Sequence, residues 1–182
     1  MRFSRKGVRI LKNKKLPDWN NIHTIIFDFD GIFTNNKVIV DQNGIEYIVC
    51  DRGDGLGFDL LRAFSKLKNL KINFLIISKE KNNVLEKRAQ KLNLNCVYGI
   101  SNKKKYVDKY FKETFPNLRE PNKGLIYLGN DLNDLSMIRY AGFSIAPNDA
   151  HEIIKKEADL VINKNGGDSF IREFIEEFIQ LK

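Results

Sequence analysis

From residue 21 onward, short apolar runs alternate with stretches of helical periodicity. The runs Thr24–Phe29, Ile72–Ile77, Leu125–Leu128, Phe143–Ile145 and Leu160–Ile162 predict strands. Between and after them, apolar residues recur at helical spacing over Gly55–Lys68, Asn82–Leu92, Lys103–Phe115 and Asp168–Leu181. Strands separated by helices imply βαβ units with right-handed crossovers and a mainly parallel sheet. The expected fold is α/β, a three-layer α/β/α Rossmann-like arrangement. One stretch breaks the alternation. Lys37–Val49 holds two β-rich runs around Asn43-Gly44, a dipeptide that favours a tight hairpin turn. A β-hairpin therefore follows the first strand, placed to act as a flap over the strand ends. Pro116–Gly124 reads as a plain loop.

The chain has 182 residues and 42% hydrophobic content, enough for one domain with a real core. No apolar run approaches the roughly 20 residues of a membrane helix, and no apolar leader opens the chain. Cys50 and Cys96 form no CxxC pair and lie in or beside apolar runs, which predicts reduced core thiols and a cytoplasmic location. The net charge of +8 is uneven: residues 1–20 hold seven cations against Asp18 alone. The expected division is a basic N-terminal tail over 1–20 and one folded domain over 21–182. Nucleic-acid binding would rest on that tail only and is not the favoured reading.

The chemistry gathers where strands end. Asp28 and Asp30 stand two residues apart at the end of the first run, so on a strand they share a face. Two buried carboxylates side by side repel, and a divalent cation removes the repulsion. Magnesium suits hard oxygen ligands and needs few carboxylates. Gly31 gives the backbone room to turn. Ser78 follows the second strand with a hydroxyl donor, and Lys103 opens a helix with a cation suited to a phosphoryl group. Gly129, Asn130, Asp131 and Asp134 follow the third strand.

DFDGIFT (Asp28–Thr34), Ser78, Lys103 and GNDLND (Gly129–Asp134), in that order, resemble the motifs of the haloacid dehalogenase-like phosphatase superfamily. The resemblance implies Asp28 as nucleophile, Asp30 as general acid/base, and Ser78 and Lys103 as holders of the phosphoryl oxygens. It implies Mg2+ held by Asp28, Asp30 through its carbonyl, Asn130 and Asp131, with Gly31 and Asp134 in support. The gaps from Thr34 to Ser78 and from Ser78 to Lys103 leave no room for a cap domain. A capless site is exposed to water, so a homo-oligomer, in this family a tetramer, is expected to close it.

Within the superfamily, the hairpin and missing cap resemble the 3-deoxy-octulosonate 8-phosphate phosphatases and their nine-carbon relatives, some of them modules of acylneuraminate cytidylyltransferases. That likeness implies a phosphorylated sugar-acid substrate. It implies substrate contacts from Thr34, from Arg52, Asp54 and Gly55 after the hairpin, and from Arg172. Glu80, Arg88 and Lys91 resemble the nine-carbon branch more than the eight-carbon one, so the nine-carbon 9-phosphate is the first expected substrate and the eight-carbon 8-phosphate the second. Asn165–Phe174 resembles a C-terminal segment that reaches a neighbouring subunit, with Gly166-Gly167 as flexible backbone. Asn130 departs from the family pattern, which has an aspartate there. An amide holds a hard dication less firmly. The alternative reading is accordingly a catalytically weak assembly module associated with an acylneuraminate cytidylyltransferase.

Overall fold

A computed structural model describes residues 8–10, 17–81 and 83–180. The strands are β1 (Val8–Ile10), β2 (Thr24–Phe27), β3 (Ile39–Val40), β4 (Glu46–Tyr47), β5 (Asn73–Ile77), β6 (Asn95–Val97), β7 (Leu125–Leu128), β8 (Phe143–Pro147) and β9 (Leu160–Ile162). The helices are α1 (Gly53–Leu67), α2 (Asn83–Leu92), α3 (Lys103–Thr114), α4 (Leu135–Tyr140), α5 (Glu152–Glu157) and α6 (Phe170–Ile179). The main sheet runs β1-β9-β8-β7-β2-β5-β6. All its pairs are parallel except β1 on β9.

β2 is the pivot. It is buried along its whole length, which explains why it reads as a continuous apolar run. Its two faces serve two cores. Ile25 and Phe27 pack with Phe58 of α1, Leu85 of α2 and Phe174 of α6. Ile26 packs with Val107 of α3, Met137 of α4 and Ile154 of α5. The three-layer α/β/α arrangement follows from that alternation. β2 pairs with β5 on one side and β7 on the other, the point where the strand order reverses direction. Parallel sheets open a crevice there, outside the carboxyl ends of the strands. Phe27 is level with Ile76 and Leu128, so the residues that follow each of these strands emerge together.

Several boundaries differ from the sequence expectation. The first strand stops at Phe27, because Ile32 and Phe33 both donate their N–H groups back to Phe29 O and turn the chain. β6, α4 and α5 were not expected; at three to six residues they are too short to show a period. Within the expected basic tail, Val8–Ile10 pairs antiparallel with β9. The rest of the expected tail through residue 16, Asn82 at the expected helix start and Leu181 at the expected helix end lie outside the described residues. The hairpin forms as β3 on β4, and Gly44 N–H donates to Asp41 O within its turn. Both cysteines are free and half-buried.

The C-terminal segment is seated within the single chain. It folds into its own chain: Phe170, Ile171, Phe174, Ile175 and Phe178 of α6 are buried against the sheet and α1. Gly166-Gly167 is a close backbone approach. A Cβ on Gly166 would fall 1.9 Å from Gly31 O, and Gly167 N–H donates to Ile32 O at 3.1 Å. Two acids of the α1 approach tie down the start of α6. Asp51 accepts from Ser169 Oγ at 2.5 Å, and Asp54 accepts from Arg172 N–H at 3.1 Å. Asp54 is only 1% exposed, and its second oxygen has no protein partner. Burial raises its pKa to about 7, against the pull of the Arg172 N–H.

That shift has a sign. The folded state holds the Asp54 proton more tightly than the unfolded chain, so this stabilisation is lost as pH rises through about 7. Asp54→Asn keeps an oxygen for Arg172 N–H and has no charge to bury. Its melting temperature is expected to exceed wild type by about 3 °C or more at pH 8, the gap shrinking as pH falls toward 5. Thermal melts at both pH values measure the difference.

Candidate active site

The crevice at the end of β2 is a cavity of about 800 Å3. Asp28, Asp30, Ser78, Glu80, Asn130 and Asp131 line it. Asn36, Lys37, Val38, Glu46 and Ile48, on and beside the hairpin, form one wall, so the hairpin stands over the strand ends as a flap.

Asp28 is fixed by the sheet. Its N–H donates to Leu128 O at 2.9 Å, and its Oδ1 accepts from Phe29 N–H at 2.7 Å. Because β2 ends before it, Asp28 and Asp30 are not alternate residues of one strand as the sequence suggested. Their like-charge neighbours differ accordingly: Asp134 for Asp28, and Glu80 and Glu46 for Asp30. Gly31 turns the chain at φ +77°, and Asn130 packs directly against it.

Lys103 reaches the cavity floor from behind. It opens α3, where the Asn102 side chain accepts Lys105 N–H as the cap. Its Nζ is 2.7 Å from Asp28 Oδ1 and 2.7 Å from Asp134 Oδ1. Lys103 is only 3% exposed and does not itself line the cavity. Burial opposes its charge, but Asp28 and Asp134 outweigh burial and lift its pKa above the ordinary lysine value. Burial would likewise raise Asp134, but Lys103 and the Tyr127 hydroxyl hold it below the usual carboxylate range. Burial and the Asp134 charge push Asp28 well above that range, against Lys103. Burial and then Glu80 raise Asp30.

Asp134 organises the loop after β7. Its Oδ2 accepts from Asn130 N–H at 2.9 Å and Asp131 N–H at 3.3 Å. Asn130 O accepts from His151 N–H at 2.8 Å, so Asn130 is pinned on both sides. Its side-chain Oδ1 is buried with no partner within the protein. Among the described residues, no cluster of three or more His, Cys, Asp or Glu could hold a metal. The donors beside the cavity still fit magnesium. Asp28, the Asp30 carbonyl and the Asn130 amide oxygen are hard oxygens, and magnesium needs only one or two carboxylates. Asp131 is exposed, and its Oδ1 accepts Leu132 N–H at 2.7 Å.

Ser78 ends β5. Its Oγ accepts from Glu80 N–H at 3.1 Å, which leaves its own proton to donate. Other expected substrate contacts lie elsewhere. Thr34 is buried, and its Oγ1 accepts from Gly31 and Asn36 N–H groups, both at 3.2 Å. Arg52, Gly55, Arg88 and Lys91 line a separate cleft of about 600 Å3 beside α1 and α2. Arg88 donates to Asp51 O at 2.6 Å. Arg172 Nε donates to Glu176 at 2.7 Å, and Asp54 lies beneath α6. Within one chain, none of these lines the Asp28 cavity. The sequence reading missed Tyr127, whose hydroxyl donates to Asp134 Oδ1 at 2.6 Å. A tyrosine inside an otherwise aliphatic strand was the available signal.

The family model for haloacid dehalogenase-like hydrolases matches residues 8–174. The chain belongs to this family. It is 29% identical to the 3-deoxy-D-manno-octulosonate 8-phosphate phosphatase of Escherichia coli K12 over 84% of this chain and 77% of that protein. Among solved structures, a HAD-family hydrolase of Streptomyces avermitilis superposes with a TM-score of 0.79 at 33% identity, covering 90% of this chain and 88% of that one. The Moraxella catarrhalis 3-deoxy-D-manno-octulosonate 8-phosphate phosphatase, solved with magnesium, phosphate and KDO, gives 0.77 at 25% identity over 89% and 88%. The chain is thus a haloacid dehalogenase-like phosphatase, of the group its motifs resemble.

Gly31→Ala tests how tightly this site is built. The new methyl group would meet Asn130 Nδ2 at 1.9 Å, on a backbone that side chains rarely adopt. The expected loss is about 1–3 kcal/mol of stability, measured by urea unfolding.

Proposed function

We propose that the chain is a magnesium-dependent phosphatase that hydrolyses a phosphorylated 3-deoxy-2-keto sugar acid through an aspartyl-phosphate on Asp28. The observation that carries this reading is Asp28 at the cavity floor, 2.7 Å from the Lys103 ammonium, with Asp30 and Ser78 lining the same cavity. An Asp28 oxygen attacks phosphorus while Asp30 gives a proton to the departing sugar oxygen. Asp30 then takes a proton from water, which attacks the acyl-phosphate, releases phosphate and restores the Asp28 carboxylate. The raised pKa of Asp30, from burial and then Glu80, favours its protonated form, as its role as proton donor requires. Ser78 donates to a phosphoryl oxygen, and Lys103 offsets charge behind Asp28. Asp28, the Asp30 carbonyl and the buried, unpartnered Asn130 Oδ1 would hold magnesium, with Asp131 nearby. When bound, the metal supplies positive charge for the phosphoryl oxygens.

The eight-carbon 8-phosphate is the first candidate, because the curated relatives named above act on it. The nine-carbon 9-phosphate, the first expectation from the motifs, moves to second: Glu80 lines the cavity, but Arg88 and Lys91 do not. Purified protein with magnesium is expected to release phosphate from one of these sugar acids. Asp28→Asn is expected to abolish release while keeping the fold by circular dichroism. No release by wild type from either substrate, with the oligomer intact, would favour the assembly-module reading.

We also propose a homo-oligomer, of tetramer size, that closes the capless site. Val38, Ile39, Val40, Ile45, Tyr47 and Val49 on the hairpin are each more than half exposed in the single chain. So many apolar side chains on one small element mark an interaction surface. Ile39→Asp is expected to lower the sedimentation mass; an unchanged mass would exclude the hairpin as the contact.

A further inference from the structure

We propose that Tyr127 is a positioning residue of the phosphoryl site, its hydroxyl occupying Asp134 so that the Lys103 ammonium stays shared with Asp28. The proposal rests on the phosphatase reading above. Tyr127 lies in β7 between Ile126 and Leu128 and is fully buried. Phenylalanine would fill the same space, so packing alone does not call for the hydroxyl. That hydroxyl donates to Asp134 Oδ1 at 2.6 Å, and its oxygen lies 3.4 Å from Lys103 Nζ.

The reason is a competition for one cation. Asp28 and Asp134 each hold an oxygen 2.7 Å from the same ammonium. Asp134 is fully buried and away from the cavity, so water cannot settle its side of the imbalance. Asp134 Oδ2 is already taken by two backbone N–H groups. Its Oδ1 has two side-chain donors, Tyr127 and Lys103. Without the hydroxyl, Oδ1 would draw more heavily on Lys103. The ammonium would then move toward Asp134 and away from Asp28, where phosphoryl oxygens bind. Neither Asp134 nor Tyr127 lines the cavity, so the effect reaches substrate through a neighbour, and Lys103 is the neighbour that shares the hydroxyl's own acceptor oxygen.

Tyr127→Phe removes one oxygen and keeps the ring. In the full-length protein with magnesium, orthophosphate affinity by calorimetry is expected to fall about tenfold, the scale of one hydrogen bond to a charged group. Turnover is expected to fall as well, through kcat, with KM for the sugar phosphate rising as orthophosphate affinity falls. The magnesium concentration for half-maximal activity should stay as in wild type, because the contacts of Asp134 Oδ2 to the Asn130 loop remain. A variant that only melts earlier, with orthophosphate affinity and kcat unchanged, overturns the positioning role and leaves the phosphatase reading standing. Wild-type protein that neither binds orthophosphate nor releases it from substrate overturns both. Weakened magnesium dependence in proportion to the kcat loss would also overturn it, because the hydroxyl would then act through the Asn130 loop.

Discussion

One buried ammonium between two buried carboxylates organises this molecule's chemistry. Lys103 touches Asp28 on β2's end and Asp134 in the loop after β7. Removing the cation would leave two neighbouring buried carboxylates uncompensated, which is far more costly than the net worth of the contact. The contact therefore fixes the distance between the nucleophile candidate and the Asn130 loop. It also joins α3 to both strands. The sheet supplies the platform, since β2, β5 and β7 end side by side. The ion cluster sets what can happen on it.

The fold was legible in the sequence where patterns were long. β2, β5, β7 and four of the helices were anticipated because their apolar residues repeat over enough positions to show a period. Short elements such as β6 and α5 carry no such repeat and emerge only from tertiary context. At the site, Asp28, Asp30, Ser78, Lys103, Asn130 and Asp131 were legible because each sits just after a strand or at a helix start. Parallel strands bring such positions together without further instruction. Arg88 and Lys91 show the limit of that logic. Their place depends on which face of α2 turns to α1, and within one chain that face opens on another cleft. Tyr127 was missed because a tyrosine in a strand reads first as packing.

Asn130 stands in a specific context. Its backbone is clamped by Asp134 and His151, its side chain packs against Gly31, and its Oδ1 is buried without a protein partner. A neutral ligand there carries less charge toward a dication than a carboxylate would. It also adds no third negative charge to the Asp28–Asp134 pair, which already outnumbers Lys103.

The seating of Gly166 against Gly31 links the two ends of the sequence in time. The turn after Asp28 rests on backbone made more than a hundred residues later, and that backbone is held by Asp51, Asp54 and Asp149. During synthesis, the first motif emerges early but has nothing to lean on until α6 has left the ribosome and docked. Contacts of such long separation form late in folding. The chain thus carries the Asp28 carboxylate through most of its own assembly without the surroundings that complete its site.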